Sequence, residues 1–298
     1  MKMLEKHAYL FMVYNNINVL EKSLKLIDNK KNDIYIHIDI KSNIMEKLKK
    51  ITDNLKFSNV YYTQRLDVRW GDYSQIDCEL LLLKEATSNL EYQYYHLLSE
   101  SDLPIKSQEE IHNFFSTNNG KEFIEFQEFP KNRLFSTRFK VYNIFTRDQK
   151  EPNKIKRYVK YVIRKIFTIS QLFVGYDRTK KFNKEIKYGS NWFSITDKLA
   201  RYVIEHESII KEMFEHGVCV DEHFLQTLVF NSDFRKDVYK EGNMRLIIWK
   251  NNANSPYVFK IENYDDIVNS NKLFARKFSE NIDLKIVDKI YNNIKEKF

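Results

Sequence analysis

The feature of this sequence that most constrains its fold is the alternation of short apolar runs and amphipathic stretches in the first third. Residues 7–14 form a continuous apolar run, typical of a strand buried on both faces. Apolar residues then recur at helical spacing over residues 19–27, and a second short strand over 33–39 ends on Asp39. Strand, helix and strand in this order predict a βαβ unit with parallel strands.

The same alternation continues to about residue 100. It comprises a helix over 43–55, a strand over 60–62, a helix over 74–86 and a buried strand over 94–98. We therefore predict an α/β fold whose mixed sheet is flanked by helices and binds a nucleotide. Ligands of such sheets bind at the carboxyl ends of the strands. Those ends carry Tyr14, Asn15, Asp39, Trp70 and residues 99–102.

The rest of the chain is less regular. We predict a strand over 123–129, helices over 197–206 and 223–230 on either side of an acidic loop at Asp221 and Glu222, and a strand-like segment over 244–249. There is no internal repeat and no low-complexity linker, so we expect one domain over residues 1–298.

Residues 154–173 predict a basic amphipathic helix, because apolar residues recur every three or four positions and Lys or Arg fills the other face. Two interpretations remain open. In the default one, the helix packs on the core and its charged face is solvated. In the other, the helix docks on an anionic membrane surface.

Composition limits the partners and the compartment. A formal net charge of +8 favours anionic partners. Cys78 and Cys219 lie in apolar runs without metal-ligand spacing, which indicates buried thiols in a reducing compartment. Residues 1–6 are too short and too charged for a signal peptide, and no apolar run is long enough to span a bilayer. We expect a cytoplasmic protein, peripheral at most to the inner face of the membrane.

A series of motifs, in a fixed order, is more specific than any of these features. The motifs are Ala8-Tyr9, Ile36-His37-Ile38-Asp39, Trp70-Gly71, residues 98–105, Gly189-Ser190-Asn191-Trp192-Phe193, residues 221–227, Trp249 and residues 273–278. This series resembles the core-2/I-branching family (glycosyltransferase family 14), which includes β-1,6-N-acetylglucosaminyltransferases and peptide O-xylosyltransferases. The resemblance covers about residues 7–280 and suggests a bacterial-type member.

The resemblance implies a GT-A-type fold, inversion at the anomeric carbon, a UDP-sugar donor and no metal or other cofactor. The sequence contains no Asp-x-Asp motif, which many metal-dependent transferases use, so Lys and Arg should meet the leaving diphosphate. The resemblance also divides the chain into a nucleotide-sugar half over about 1–120, an acceptor and catalytic half over about 121–280, and a terminal helix over 281–298.

By the same resemblance, Glu222 is the catalytic base that deprotonates the acceptor hydroxyl. Its sequence alone would equally suit an acid at the start of a helix. The matched donor-site residues are Met12, Tyr14, Asp39, Trp70, Asp102, Arg276 and Lys277. The matched acceptor-site residues are Glu125, Trp192 and Trp249.

One position departs from the family pattern. Where the family commonly places an arginine on the diphosphate, this chain has Tyr257. A tyrosine donates a neutral hydrogen bond but brings no charge. Arg245, Lys260 or Arg276 could supply that charge instead, or the leaving group is stabilised in a different way.

The expected activity is transfer of a sugar, with N-acetylglucosamine as the first choice, to a hydroxyl of a glycan acceptor. The acceptor could be lipid-linked, in the synthesis of a surface polysaccharide or lipopolysaccharide. UDP-xylose, UDP-glucose and UDP-galactose remain alternative donors.

An alternative of another class is a non-catalytic basic module that binds nucleic acid or anionic lipid. We expect no nucleic-acid partner, because aromatic and basic residues do not alternate on a strand pair.

Overall fold

The computed structural model describes residues 5–132, 134–149, 152–250 and 255–296. Two sheets organise these residues. The larger sheet has the order β3-β2-β1-β4-β6, and the smaller one has the order β5-β8-β7. The strands are β1 (His7–Val13), β2 (Asn32–Ile38), β3 (Asn59–Tyr62), β4 (Tyr94–Ser99), β5 (Asp102–Pro104), β6 (Ser194–Thr196), β7 (Arg245–Ile247) and β8 (Phe274–Arg276).

The α-helices cover both faces of the larger sheet and one side of the smaller sheet. Each of the first three follows one of the first three strands, as the βαβ pattern predicts. The helices are α1 (Ile17–Ile27), α2 (Met45–Thr52), α3 (Ser74–Asn89), α4 (Gln108–Thr117), α5 (Thr137–Lys140), α6 (Lys154–Phe173), α7 (Asp197–Glu205), α8 (Glu207–Phe214), α9 (Phe224–Phe230), α10 (Tyr264–Val268) and α11 (Leu284–Lys295).

Strand β1 lies at the centre of the larger sheet. It pairs in parallel with β2 on one edge and with β4 on the other, and β6 closes the sheet antiparallel to β4. Alternate side chains of β1 point to opposite faces. Ala8 and Leu10 enter a core with α3 and α7, whereas Tyr9 and Phe11 enter a second core with α1 and α4.

The smaller sheet joins the end of the chain to the carboxyl edge of the larger one. Strand β8 pairs antiparallel with β5 and parallel with β7. A third core lies beneath it, formed with α1, α10 and α11. The predicted α/β fold with a mixed sheet flanked by helices is thus confirmed.

The predicted strands and helices of the first third are present to within a few residues. The strand predicted over 123–129 is wrong. Its residues make only isolated bridges, from Phe123 to Ser194 and from Gln127 to Tyr188, because successive residues meet different neighbouring segments and build no continuous ladder. The predicted strand over 244–249 is shortened to three residues.

Helix α6 has the predicted bounds, but none of its residues is buried. The default interpretation, in which its apolar face packs on the core, is therefore wrong. The predicted burial of Cys78 and Cys219 is confirmed. Helix α11 provides the expected terminal helix, although residues 297–298 lie outside the described residues. In the described ranges, no helix is long and apolar enough to cross a membrane.

Candidate active site

A cleft of about 1080 Å³ opens where the segment before β6 and the segment after β7 approach the loop that precedes α3. It brings together residues that are far apart in sequence. Among those that line it are Trp70, Glu125, Arg138, Tyr188, Trp192, Glu222, Arg245 and Trp249. Five of the predicted site residues thus share one cavity: Trp70, Glu125, Trp192, Glu222 and Trp249.

Glu222 ends a short 3-10 turn, Val220–Glu222, immediately before α9. Backbone hydrogen bonds hold this turn from two sides. The amide of Cys219 donates to the carbonyl of Gly71 over 2.9 Å, and the amide of Gly189 donates to the carbonyl of Glu222 over 3.0 Å. The catalytic candidate therefore sits on a backbone fixed both to the Trp70 loop and to the segment before β6.

Gly189 has a steric reason to be glycine. A Cβ added at this position would lie 1.9 Å from the carbonyl oxygen of Glu125, which is far inside van der Waals contact. Only a residue without a side chain allows the two backbones to approach so closely. The contact places Glu125 and Glu222 on neighbouring segments of the cleft wall.

Arg138 is the partner of the candidate base. Its Nη1 donates to Glu222 Oε2 over 2.8 Å, and its guanidinium lies 4.3 Å from the centre of the Phe135 ring. Burial raises the pKa of Glu222 above its ordinary value, and the positive charge and hydrogen bond of Arg138 offset only part of that rise. The side chain of Glu222 remains 29% exposed. The carboxylate of Glu222 is therefore accessible from the cleft, and its hydrogen bond to Arg138 fixes its orientation.

The neighbouring acids differ from Glu222. Asp221 is buried, accepts a hydrogen bond from Gln75 Nε2 over 3.0 Å, and has a pKa raised to about 7, first by burial and then by the charge of Glu222. Glu79 is fully buried, and burial raises its pKa as well. Desolvation therefore favours the neutral acid at Asp221 and Glu79. Glu222, which faces both the cleft and a cation, is the member of this group suited to carry the negative charge.

His223 follows the candidate base but is a poor alternative to it. The ring is fully buried and packs against Phe139 and Tyr188. Burial lowers its pKa to about 4, so the imidazole is neutral, and Nδ1 donates to the carbonyl of Lys187 over 2.9 Å. We interpret His223 as a packing residue at the foot of α9.

On the predicted acceptor side, two tryptophans and a carboxylate line the cleft. Trp249 is half-exposed, and Trp192 stacks beneath the guanidinium of Arg276 at 3.9 Å. Glu125 accepts a hydrogen bond from Gln127 over 2.6 Å. Aromatic faces beside polar oxygens suit a sugar, whose C–H surface packs on a ring while its hydroxyls make hydrogen bonds.

The remaining predicted donor residues lie outside this cleft, at the carboxyl edge of the sheet. Met12 is half-buried near the end of β1, opposite Ser99 in the register of the sheet, and Tyr14 is exposed just beyond that strand. Asp39 is buried at the end of β2. It accepts from the backbone amide of Val68 over 3.1 Å and forms an ion pair with Lys41. Asp39 is therefore already engaged with its own chain.

Asp102 and Arg276 connect the sheet edge with the cleft. They pair across β5 and β8, with 3.4 Å between Arg276 Nη1 and Asp102 Oδ2. Asp102 also accepts from the backbone amide of Ser99 over 2.6 Å. Both ionic groups are buried, and Arg276 covers Trp192. This geometry makes the pair a support for the cleft wall, with Lys277 next to it as a half-buried cation.

Sequence reasoning missed two residues that organise the site. Arg138 gave no signal because it lies 84 positions before the glutamate that it contacts. Asn16 is not among the predicted site residues. Its amide donates to the carbonyls of Glu100 and Phe278, over 3.1 and 3.0 Å, and so joins the end of β1 to both sides of the smaller sheet. The run Asn15-Asn16 directly after a strand was the available clue.

The three predicted substitutes for the missing arginine have different surroundings. Arg245 is buried and donates to Ser194 Oγ and to backbone carbonyls. Arg276 is engaged with Asp102, and Lys260 is exposed on the segment after β7. A fourth cation was not predicted. Lys250 Nζ lies 4.1 Å from the centre of the Tyr257 ring, at the position where the charge is missing.

Comparison with known proteins places this cleft in context. The sequence matches the family described as Core-2/I-Branching enzyme over residues 7–269. It is 24% identical over 282 residues to xylosyltransferase sqv-6 of Caenorhabditis elegans, covering 85% of this chain and 32% of that protein. It is 21% identical over 307 residues to xylosyltransferase 2 of Rattus norvegicus, covering 94% of this chain and 33% of that protein. The chain therefore spans about a third of the length of these relatives.

Among solved structures, the apo form of mouse xyloside xylosyltransferase 1 is similar with a TM-score of 0.42 and 7% identity, covering 90% of this chain and 96% of that one. This similarity is too low to bear on function. The family match spans most of the chain, including the Trp70 loop, the turn that carries Glu222 and the tryptophans of the cleft. On that match, the chain belongs to the Core-2/I-Branching enzyme family.

Proposed function

We propose that the protein is an inverting glycosyltransferase that moves a sugar from a UDP-sugar to a hydroxyl of a glycan, with Glu222 as general base. The observation that carries the proposal is the accessible carboxylate of Glu222, held by Arg138 in a cleft lined by tryptophans. Family membership supports sugar transfer as the reaction class. The side-chain geometry supports the choice of base.

In the proposed reaction, the acceptor hydroxyl gives its proton to the free oxygen of Glu222 as its own oxygen attacks the anomeric carbon. The bond between that carbon and the β-phosphate oxygen breaks, and UDP leaves with the electron pair. Attack from the face opposite to the leaving group inverts the configuration. Arg138 favours the ionised form of Glu222 before transfer and leaves Oε1, the oxygen it does not bind, to face the acceptor.

Metal independence is part of the proposal. Across the described ranges, no three His, Cys, Asp or Glu side chains are arranged to hold a metal ion. Because the sequence contains no Asp-x-Asp motif, we assign the leaving charge to cations of the chain. Lys277 follows the supporting Asp102–Arg276 pair, and Lys250 stands beside Tyr257. The family pattern places one lysine and one arginine on the diphosphate. In this chain two lysines would take their place, and each binds phosphate as a point charge.

For the donor we keep UDP-N-acetylglucosamine as the first choice, with UDP-xylose raised as an alternative by the names of the relatives. UDP-glucose and UDP-galactose are further donors for the same screen. For the acceptor we propose a surface polysaccharide or lipopolysaccharide precursor in the cytoplasm.

A non-catalytic basic module, which would bind nucleic acid or anionic lipid, is the competing proposal. Stabilisation by single-stranded RNA and not by UDP would favour it.

Replacing Glu222 with Gln should lower kcat by about 100-fold or more, because the amide cannot accept the acceptor proton. UDP affinity, measured by calorimetry, should change little. Glu241→Gln is the matched control, since Glu241 is another carboxyl of the cleft wall that has no arginine partner among the described contacts and should keep its activity. Full activity of Glu222→Gln would remove this residue as the base.

The pH profile tests the role of Arg138. Its charge lowers the pKa of Glu222, so Arg138→Ala should raise that pKa. Because the base must be ionised, the acidic limb of kcat/KM should move to higher pH in Arg138→Ala. Arg138→Lys should restore much of the original profile. An acidic limb that stays in place in Arg138→Ala would show that Arg138 does not act through the ionisation of Glu222.

Transfer should persist after the protein is dialysed against EDTA, and added Mg²⁺ or Mn²⁺ should change kcat less than about twofold, because cations of the chain meet the diphosphate. Product formation from radiolabelled donor provides the measurement. Loss of transfer on chelation, with recovery on adding metal, would contradict the proposal.

Lys250→Ala should raise the KM for the UDP-sugar by about tenfold, as expected for the loss of one charge-assisted contact to phosphate. Lys260→Ala is the control, because Lys260 is an exposed lysine of the segment after β7 that does not contact Tyr257 in any described contact. Initial rates against donor concentration give both values. An increase in KM in the Lys260 variant alone would assign the missing charge to that residue.

A further inference from the structure

Helix α6 exposes its apolar face to solvent, whereas an ordinary surface helix packs that face on the core. Its apolar side chains point away from the protein: Ile155, Ile166 and Ile169 are 78%, 64% and 61% exposed, and Phe173 is 92% exposed. Tyr158, Val159 and Ile163 extend the same stripe. A contiguous apolar surface of this kind is rare on a protein that has no partner for it.

The polar side of α6 makes the contacts with the rest of the chain. Gln171 exchanges two hydrogen bonds with the backbone of Tyr142, both 2.9 Å long. Lys160 forms an ion pair with Asp148 at 3.0 Å. Gln171 and Lys160 lie on the helical face opposite to Ile155 and Ile166. The exposure of the apolar stripe is therefore part of how the helix is attached.

Charge indicates what covers this stripe. The sequence of α6 contains six Lys or Arg residues and no Asp or Glu. At 100° per residue, Lys154 and Lys165 border one side of the stripe and Lys156 borders the other. Lysines in such positions extend their ammonium groups to lipid phosphates while their stems lie along the apolar region.

We propose that α6 lies in the plane of an anionic membrane surface, with its apolar stripe among the acyl chains and its bordering lysines on the headgroups. A second copy of the chain fits this surface poorly. Pairing two such helices face to face would bring together twelve positive charges with no acidic residue on either helix to offset them. An anionic bilayer satisfies both the apolar stripe and the charge.

The attachment of α6 also relates the membrane to the cleft. The segment before the helix is held to the Trp70 loop: Thr146 donates to Asp72 over 2.7 Å and Arg147 forms an ion pair with Asp67 at 2.8 Å. Docking of α6 would thus bring the Trp70 side of the cleft near the bilayer. A lipid-linked acceptor would then reach Glu222 from the membrane, and this last step rests on the proposed function.

Co-sedimentation with vesicles tests the docking without reference to catalysis. The whole chain is mixed with vesicles of phosphatidylcholine alone, or with roughly one third phosphatidylglycerol. We expect the protein to sediment with the anionic vesicles, to remain in solution with the neutral ones, and to be released as the salt concentration rises. Absence from the anionic pellet at low salt would overturn the proposal.

Two triple variants separate the apolar and the ionic contributions. Ile155→Ser, Ile166→Ser and Ile169→Ser together should weaken partitioning by more than about 100-fold, since three large apolar side chains no longer enter the bilayer. Lys154→Gln, Lys156→Gln and Lys165→Gln together should weaken it by about 100-fold on anionic vesicles. A matched control replaces the exposed Phe57, Leu90 and Ile282 with Ser and should sediment like the unmodified protein.

Further measurements distinguish loss of docking from loss of folding, and they detect a second copy of the chain bound to the apolar stripe. Far-ultraviolet circular dichroism and UDP binding should be unchanged in the variants, so that loss of docking is distinguished from loss of folding or of the donor site. Sedimentation that survives the Ile→Ser changes would overturn the proposal. So would a dimer, detected by analytical ultracentrifugation without vesicles, that these changes dissociate, because the stripe would then bind a second copy.

Discussion

Strand β1 is hydrogen-bonded on both edges and buried on both faces, and the site depends on this. Each backbone group of a strand in this position must be satisfied by β2 and β4, so the register of all three is fixed together. Beyond their carboxyl ends, Asn16 joins the end of β1 to the loop after β4 and to the segment after β8. The edge of the larger sheet and the smaller sheet are thereby one unit, on which the cleft is built.

Electrostatics assigns different roles to three neighbouring acids. Glu79 and Asp221 lose their solvent and favour their neutral forms, whereas Glu222 reaches the cleft and gains the cation of Arg138. Burying a charge is costly unless it is paired. One arginine therefore suffices for a cluster that contains three carboxyl groups. The other charged pair of this region, Asp102 with Arg276, is buried and acts through Trp192, so it shapes the cleft instead of facing it.

How much could be predicted from sequence depended on whether a signal was local. The βαβ alternation is a property of neighbouring residues, and it correctly predicted β1, α1 and β2. The segment 123–129 also has strand-like residues, but its partners change along its length, and no local pattern reveals that. Glu222 is predicted as the base from an ordered series of motifs, whereas Arg138 was missed because its contact exists only in the folded chain. For α6, the amphipathic period was correct, but the direction of its apolar face is a tertiary property.

The hydrogen bond from Cys219 to Gly71 has a consequence for how this site tolerates evolutionary change. It joins the Trp70 loop to the turn that carries Glu222 through main-chain atoms alone, so the side chain of Cys219 supplies neither its donor nor its acceptor. What the contact does require is a backbone with positive φ at both positions, 72° at Gly71 and 51° at Cys219. A Cβ at Gly71 would also lie 3.2 Å from the sulfur of Cys219. The geometry of the two loops thus depends on a glycine and on the backbone conformation, so the side chains around the contact can change without breaking it.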